Sequence, residues 1–210
     1  MCGRYRIDDD EESGELEAIV EAINRRYPGE TVKTSGEIFP TDTVPVIANN
    51  RNLSPTPFAM QWGYGMPDGR RMINARSETA SMKPLFRDGM RQRRCAIPAT
   101  GYYEWERASG QRTKYAIRPE QYPLFYLAGI YRLEVGKPVF AVLTREPAAN
   151  IAFIHNRMPV LLAPEAVGDW MNPGFTAQDL LAHSLLEVAY RAEPQPVPEV
   201  VQLSMQFPEA

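Results

Sequence analysis

Residues 94–98, 102–106, 114–118, 124–133, 139–144 and 158–162 form a succession of short apolar runs, rich in β-branched and aromatic side chains and parted by Gly, Pro or polar residues. Runs this short read as strands rather than helices. Each can bury its apolar side only against another layer, so the pattern predicts an α+β chain. We expect one domain, residues 1–210, with a curled, barrel-like, mostly antiparallel sheet and peripheral helices. At 210 residues and 44% hydrophobic, the chain is long enough to bury a substantial core.

The first half is less regular. Residues 2–7 read as a short strand that anchors the amino terminus. Leu16, Ile19, Val20, Ile23 and Tyr27 follow helical spacing, with acidic residues early and Arg25-Arg26 late, as the helix dipole favours. Residues 31–57 read as loop around an apolar run at 44–48, and Phe58, Met60 and Trp62 alternate like a half-buried strand. Further helices are expected at 83–91, 148–154 and 164–171. A capping box of Thr176 and Asp179 opens another, through Leu186. A last strand is expected at 200–203.

Charge is unevenly distributed. The net charge is −3, which makes no global case for a polyanion partner. Residues 70–94, however, hold eight basic side chains against Glu78 and Asp88, a local balance of +6. A basic surface can therefore exist on a mildly acidic protein. Two cysteines (Cys2, Cys95) and two histidines (His155, His183) give neither a disulfide framework nor a metal-ligand pattern, so no metal and no cofactor are expected. The amino terminus lacks the apolar region of a signal peptide, and no stretch is apolar enough to span a membrane. The expectation is a cytoplasmic monomer with no membrane partner.

Four stretches are denser in reactive groups than packing requires. The first is Met1-Cys2-Gly3-Arg4-Tyr5. Once Met1 is removed, Cys2 carries a free α-amine and a thiol on adjacent carbons. The two titrate near ~7.7–8.0 and ~8.5, so both have reactive fractions at neutral pH. Together they can convert an aldehyde first to an imine and then to a thiazolidine. The second stretch is Asn74-Ala75-Arg76-Ser77-Glu78-Thr79, and the third is Gly101-Tyr102-Tyr103-Glu104-Trp105. Burial of Glu104 among aromatics would raise its pKa and suit it to general acid work. The fourth is Ile154-His155-Asn156-Arg157-Met158-Pro159, where His155 can shuttle protons. Read singly, each is also an ordinary structural residue: a cysteine after Met1, a solvent-facing strand carboxylate, a satisfied histidine. His183 reads as a helix residue and Cys95 as core.

Together and in this order, these stretches and Arg94-Cys95 to Pro98 resemble the SRAP family (SOS-response-associated peptidase). The resemblance runs from Cys2 to about Pro164. It implies recognition of abasic sites in single-stranded DNA and covalent attachment to them, as part of the DNA damage response. It also implies roles. Cys2 is the crosslinking nucleophile and Asn74 positions it; Glu104 assists sugar ring opening and holds the α-amine; His155 moves protons. Arg4, Arg76 and Arg157 hold phosphates, Trp62 packs against a base, and Thr144, Pro40 and Ser77 line the DNA path. The segment after Trp62-Gly63 is shorter than is common in that family. Such a protein would be lyase-like, with self-removal of Met1 as its peptidase activity, and nucleoid-associated when bound to DNA. The rival readings are an amino-terminal nucleophile hydrolase of the glutamine amidotransferase type, a cysteine peptidase using Cys2 and His155, and a non-covalent single-strand-binding module.

Overall fold

The computed structural model describes residues 2–8, 14–106 and 113–194. Strands dominate it: β1 (Tyr5–Ile7), β2 (Gly36–Ile38), β3 (Thr43–Asn49), β4 (Pro55–Trp62), β5 (Tyr64–Gly65), β6 (Arg71–Met72), β7 (Asn74–Arg76), β8 (Arg94–Ala99), β9 (Gly101–Trp105), β10 (Lys114–Pro119), β11 (Phe125–Glu134), β12 (Lys137–Arg145), β13 (Met158–Pro159), β14 (Leu161–Leu162) and β15 (Val188–Ala192). The helices are α1 (Glu15–Arg26), α2 (Ser77–Ala80), α3 (Pro84–Gln92), α4 (Val167–Met171) and α5 (Ala177–Ala182), with 3₁₀ turns at Ala149–Ile151 and Pro164–Ala166.

Five strands close on themselves in the order β12-β4-β3-β8-β11, because β11 also pairs with β12. The result is the barrel-like, mostly antiparallel sheet that the short runs imply. Among the described residues, only the pairings of β12 with β4 and with β7 are parallel. A second sheet, β15-β10-β9-β1-β2, is antiparallel throughout.

Strand parity sorts the core into two layers. Val44, Val46, Met60, Trp62, Cys95, Ile97, Phe140 and Val142 share one buried cluster with Cys2, Tyr5 and Tyr102 from the second sheet. Alternate residues of the same strands (Ile47, Ala96, Ala141, Leu143) join a second cluster with Phe86 and Met90 of α3, Trp170 of α4 and Leu180 of α5. Successive side chains point to opposite faces of a strand, so one cluster occupies the inner side of the barrel and the other lies under peripheral helices. Gly129 shows how full the inner side is: a Cβ there would sit 2.6 Å from Ile97 Cδ1 and 3.1 Å from Cys95 Sγ.

Several expectations are revised. Residues 31–57 contain β2, β3 and the start of β4 rather than loop; Pro45, Pro55 and Pro57 disguise them, yet Pro is tolerated where no ladder N–H is required. Residues 148–154 form only a 3₁₀ turn. The Thr176–Asp179 capping box is present, but α5 ends at Ala182 with His183 as its cap. β15 has no strand signature in the sequence, since its only buried residue is Val188. The strand expected at 200–203 lies outside the described residues. No helix among the described residues is long and apolar enough to cross a membrane.

Candidate active site at Cys2

The amino-terminal segment enters the space between the two sheets. β1 pairs with β2 on one side and β9 on the other, and Tyr103 N–H donates to the carbonyl of Arg4 (2.9 Å), extending the pairing towards the terminus. Cys2 is fully enclosed, and its Sγ lies 3.7 Å from the Arg4 carbonyl. From the barrel side, Asn74 Nδ2 donates to the Cys2 carbonyl at 2.8 Å. Asn74 is itself buried, at the start of β7, where register sets it beside Val142 of β12. The bond thus ties the segment that leads into β1 to β7, the strand that pairs with β12 of the barrel.

Glu104 lies on β9 with 4% exposure. Burial, and then the Glu104 carboxylate, push the Cys2 thiol well above its ordinary range. Burial and the nearby thiol act likewise on the Tyr102 phenol. Tyr5 Oη, Tyr102 Oη and Asn74 Oδ1 are buried without a hydrogen-bond partner among the described residues. Three buried polar atoms in the cluster and residues around Cys2 thus keep spare hydrogen-bonding capacity, a costly arrangement in an interior.

His155 follows the 3₁₀ turn and is half-buried; Ile154 before it belongs to the same cluster as Cys2. The Arg157 N–H donates to His155 Nδ1 at 3.0 Å, so neutral His155 carries its proton on Nε2. Arg157 makes a bidentate pair with Glu78 (both 2.8 Å) and donates to the Thr144 carbonyl at 2.6 Å. Burial opposes ionisation of Glu78, but the Arg157 bonds outweigh it and hold the carboxyl below its usual range. Glu78 thus orients Arg157, a role foreshadowed only by its place in the polar stretch 74–79.

Arg4 lies over the rings of Phe39 (4.3 Å) and Trp105 (5.0 Å) and pairs with Glu37 at 3.2 Å. Glu37 also bonds Lys114. Arg76 is exposed and has no carboxylate partner among the described residues. Pro40 is half-buried in the Phe39–Asp42 turn. There Thr41 takes φ 80°, rare for a β-branched residue, and is held by its N–H bond to the Trp62 carbonyl (2.9 Å).

The expectation for Trp62 is corrected. Its parity on β4 sends the indole inwards, where it stacks on Phe140, meets Tyr5 edge-on and donates from Nε1 to the Ile73 carbonyl. Fully enclosed, it offers no face to a base and instead buttresses the turn bearing Pro40. Ser77 and Thr144 are likewise enclosed: Ser77 Oγ donates to the Thr144 carbonyl at 3.0 Å, and Thr144 Oγ1 lies 3.4 Å from the Ala75 carbonyl. They lace β7 and α2 to β12 rather than line a surface. Cys95 is core, and His183 packs against Phe175. No cluster of three His, Cys, Asp or Glu side chains could hold a metal among the described residues.

Comparison with known proteins agrees with this organisation. The chain is 31% identical over 199 residues to the abasic site processing protein YoaM of Bacillus subtilis, covering 89% of this chain and 86% of that one. It is 27% identical over 185 residues to the abasic site processing protein YedK of Escherichia coli, covering 85% and 83%. A crystal structure of a Bacteroides thetaiotaomicron protein shares the fold, with a TM-score of 0.74 and 20% identity over 91% of each chain. The family model for SOS response associated peptidase (SRAP) matches residues 1–203, and with that match across the barrel, the second sheet and the Cys2 site, the chain belongs to the SRAP family.

Proposed function

We propose that this protein recognises abasic sites in single-stranded DNA and, once Met1 is removed, crosslinks to them through a thiazolidine formed by Cys2. The observation that carries the reading is the Asn74–Cys2 bond of 2.8 Å. A buried side chain of the barrel holds the terminal residue by its carbonyl, leaving its amine and thiol as the groups free to react. Relatives are named as abasic site processing proteins, and an abasic deoxyribose in its open form presents the aldehyde that such a pair captures.

The chemistry of the pair orders the steps. The amine attacks C1′ first, because the thiol closes a five-membered ring only once an imine carbon is there to receive it. Water leaves with a proton from Glu104 or His155, giving the imine. The sulfur then adds to the imine carbon while its proton passes to Glu104 or His155 and from there to the ring nitrogen. Each assisted transfer is worth about 10²–10⁴-fold. Removal of Met1 itself is the peptidase activity we assign. Such a protein acts as a cytoplasmic monomer of one domain, residues 1–210, without a cofactor.

The test is a denaturing gel of mature protein mixed with single-stranded DNA bearing one abasic site. A denaturant-resistant adduct is expected, lost in Cys2→Ala and when extra residues precede Cys2. An adduct that survives Cys2→Ala would refute the assignment.

A further inference from the structure

The sheet that carries Glu104 also carries an aromatic cluster that the covalent chemistry does not use. Tyr115 of β10 sits directly opposite Glu104 of β9, and Tyr190 of β15 directly opposite Ile117 of β10. Paired residues of a ladder project to the same face, so both tyrosines stand on the Glu104 side of the sheet. Phe153, shortly before His155 in the chain, completes a triangle with them. Its ring lies 5.7 Å from Tyr115 at 88° and 5.4 Å from Tyr190 at 69°, and the two tyrosines lie 5.9 Å apart at 70°. Tyr115 is fixed further by donating from its hydroxyl to Glu106 at 3.1 Å.

Mutual edge-to-face packing leaves ring surface open: Phe153 is 50% and Tyr190 44% exposed. A preorganised aromatic ledge beside a reactive centre has more surface than packing requires. Exposed aromatic faces on which successive bases can stack are a common device for holding single strands.

Resting on the function proposed above, we infer that Tyr115, Phe153 and Tyr190 form a stacking platform for the nucleobase next to the abasic nucleotide. The platform would select lesions whose neighbour still carries a base, and would hold the strand while C1′ meets Cys2.

The experiment compares initial rates of adduct formation, at sub-saturating protein, on three single-stranded oligonucleotides. One has a single abasic site; the other two also carry a tetrahydrofuran spacer in place of the nucleotide on its 5′ or its 3′ side. The native protein should slow about tenfold when one flank, and only one, is baseless. In Phe153→Leu and Tyr190→Leu, which keep the apolar packing but lack a π face, that ratio should fall towards one. A native rate indifferent to both flanks overturns the platform, as does a ratio that both variants retain. Absence of any adduct from native protein overturns the underlying function, and the platform with it.

Discussion

At the residue scale, the site turns on who holds whom. Asn74→Ala leaves the Cys2 carbonyl buried without its donor, which should cost about 1–3 kcal/mol of stability and slow adduct formation roughly tenfold or more; thermal melts and gel rates measure the two effects separately. Of the three arginines that the family resemblance links to phosphates, Arg4 and Arg157 are engaged by Glu37 and Glu78; on the function proposed, DNA would exchange with those carboxylates. Arg76 is exposed and forms no ion pair among the described residues, and Arg76→Ala should weaken capture while leaving the chemical step of bound DNA unchanged. Glu104→Gln should do the reverse, slowing the step with little loss of binding; single-turnover rates against protein concentration separate the two. Arg76 and Glu104 stand out in sequence, the first within a polar stretch and the second as a lone carboxylate among three aromatics. Glu78 as the fork that holds Arg157 is not, because its partner comes from a loop far along the chain.

At the element scale, strand parity decides most outcomes. Trp62 looks like a base-stacking aromatic in sequence; β4 turns it inwards, where Phe140 and Tyr5 enclose it. β11 is continuous through Gly129 because no side chain fits between Ile97 and Cys95. Gly129→Val should therefore overpack the barrel and destabilise by about 1–3 kcal/mol or more, visible as a lowered urea midpoint. The helix pattern of α1 and the capping box of α5 were readable locally, since both depend on near neighbours. β2 and β15 were not, since a short strand with few buried residues carries almost no alternation of its own and is fixed by its partners.

At the scale of the whole molecule, Arg157–Glu78 and the Arg4–Glu37–Lys114 cluster fasten the terminus and the His155 loop to the two sheets. Burial opposes ionisation of Glu37, but the bonds from Lys114 and Arg4 outweigh it, so its carboxyl, like that of Glu78, sits below the ordinary range. A depressed carboxyl pKa adds stability above the unfolded-state value, near ~4.3, and loses it as pH falls through the folded value. The acid limb of the stability curve should thus flatten in Glu78→Gln; unfolding midpoints across pH 2 to about 5 measure it, and an unchanged limb would refute the coupling.

The sequence by itself determined the class of fold and singled out Cys2 and the polar stretches that accompany it. These rest on short-range pattern and on the chemistry of single residues, which need no partner to be read. Tertiary structure alone decided that the barrel closes, that Asn74 grips Cys2, that Trp62 is core, and that Tyr115, Phe153 and Tyr190 meet beside Glu104. Each of those depends on register between strands distant in the chain, where a shift of one residue reverses the face on which every side chain lies.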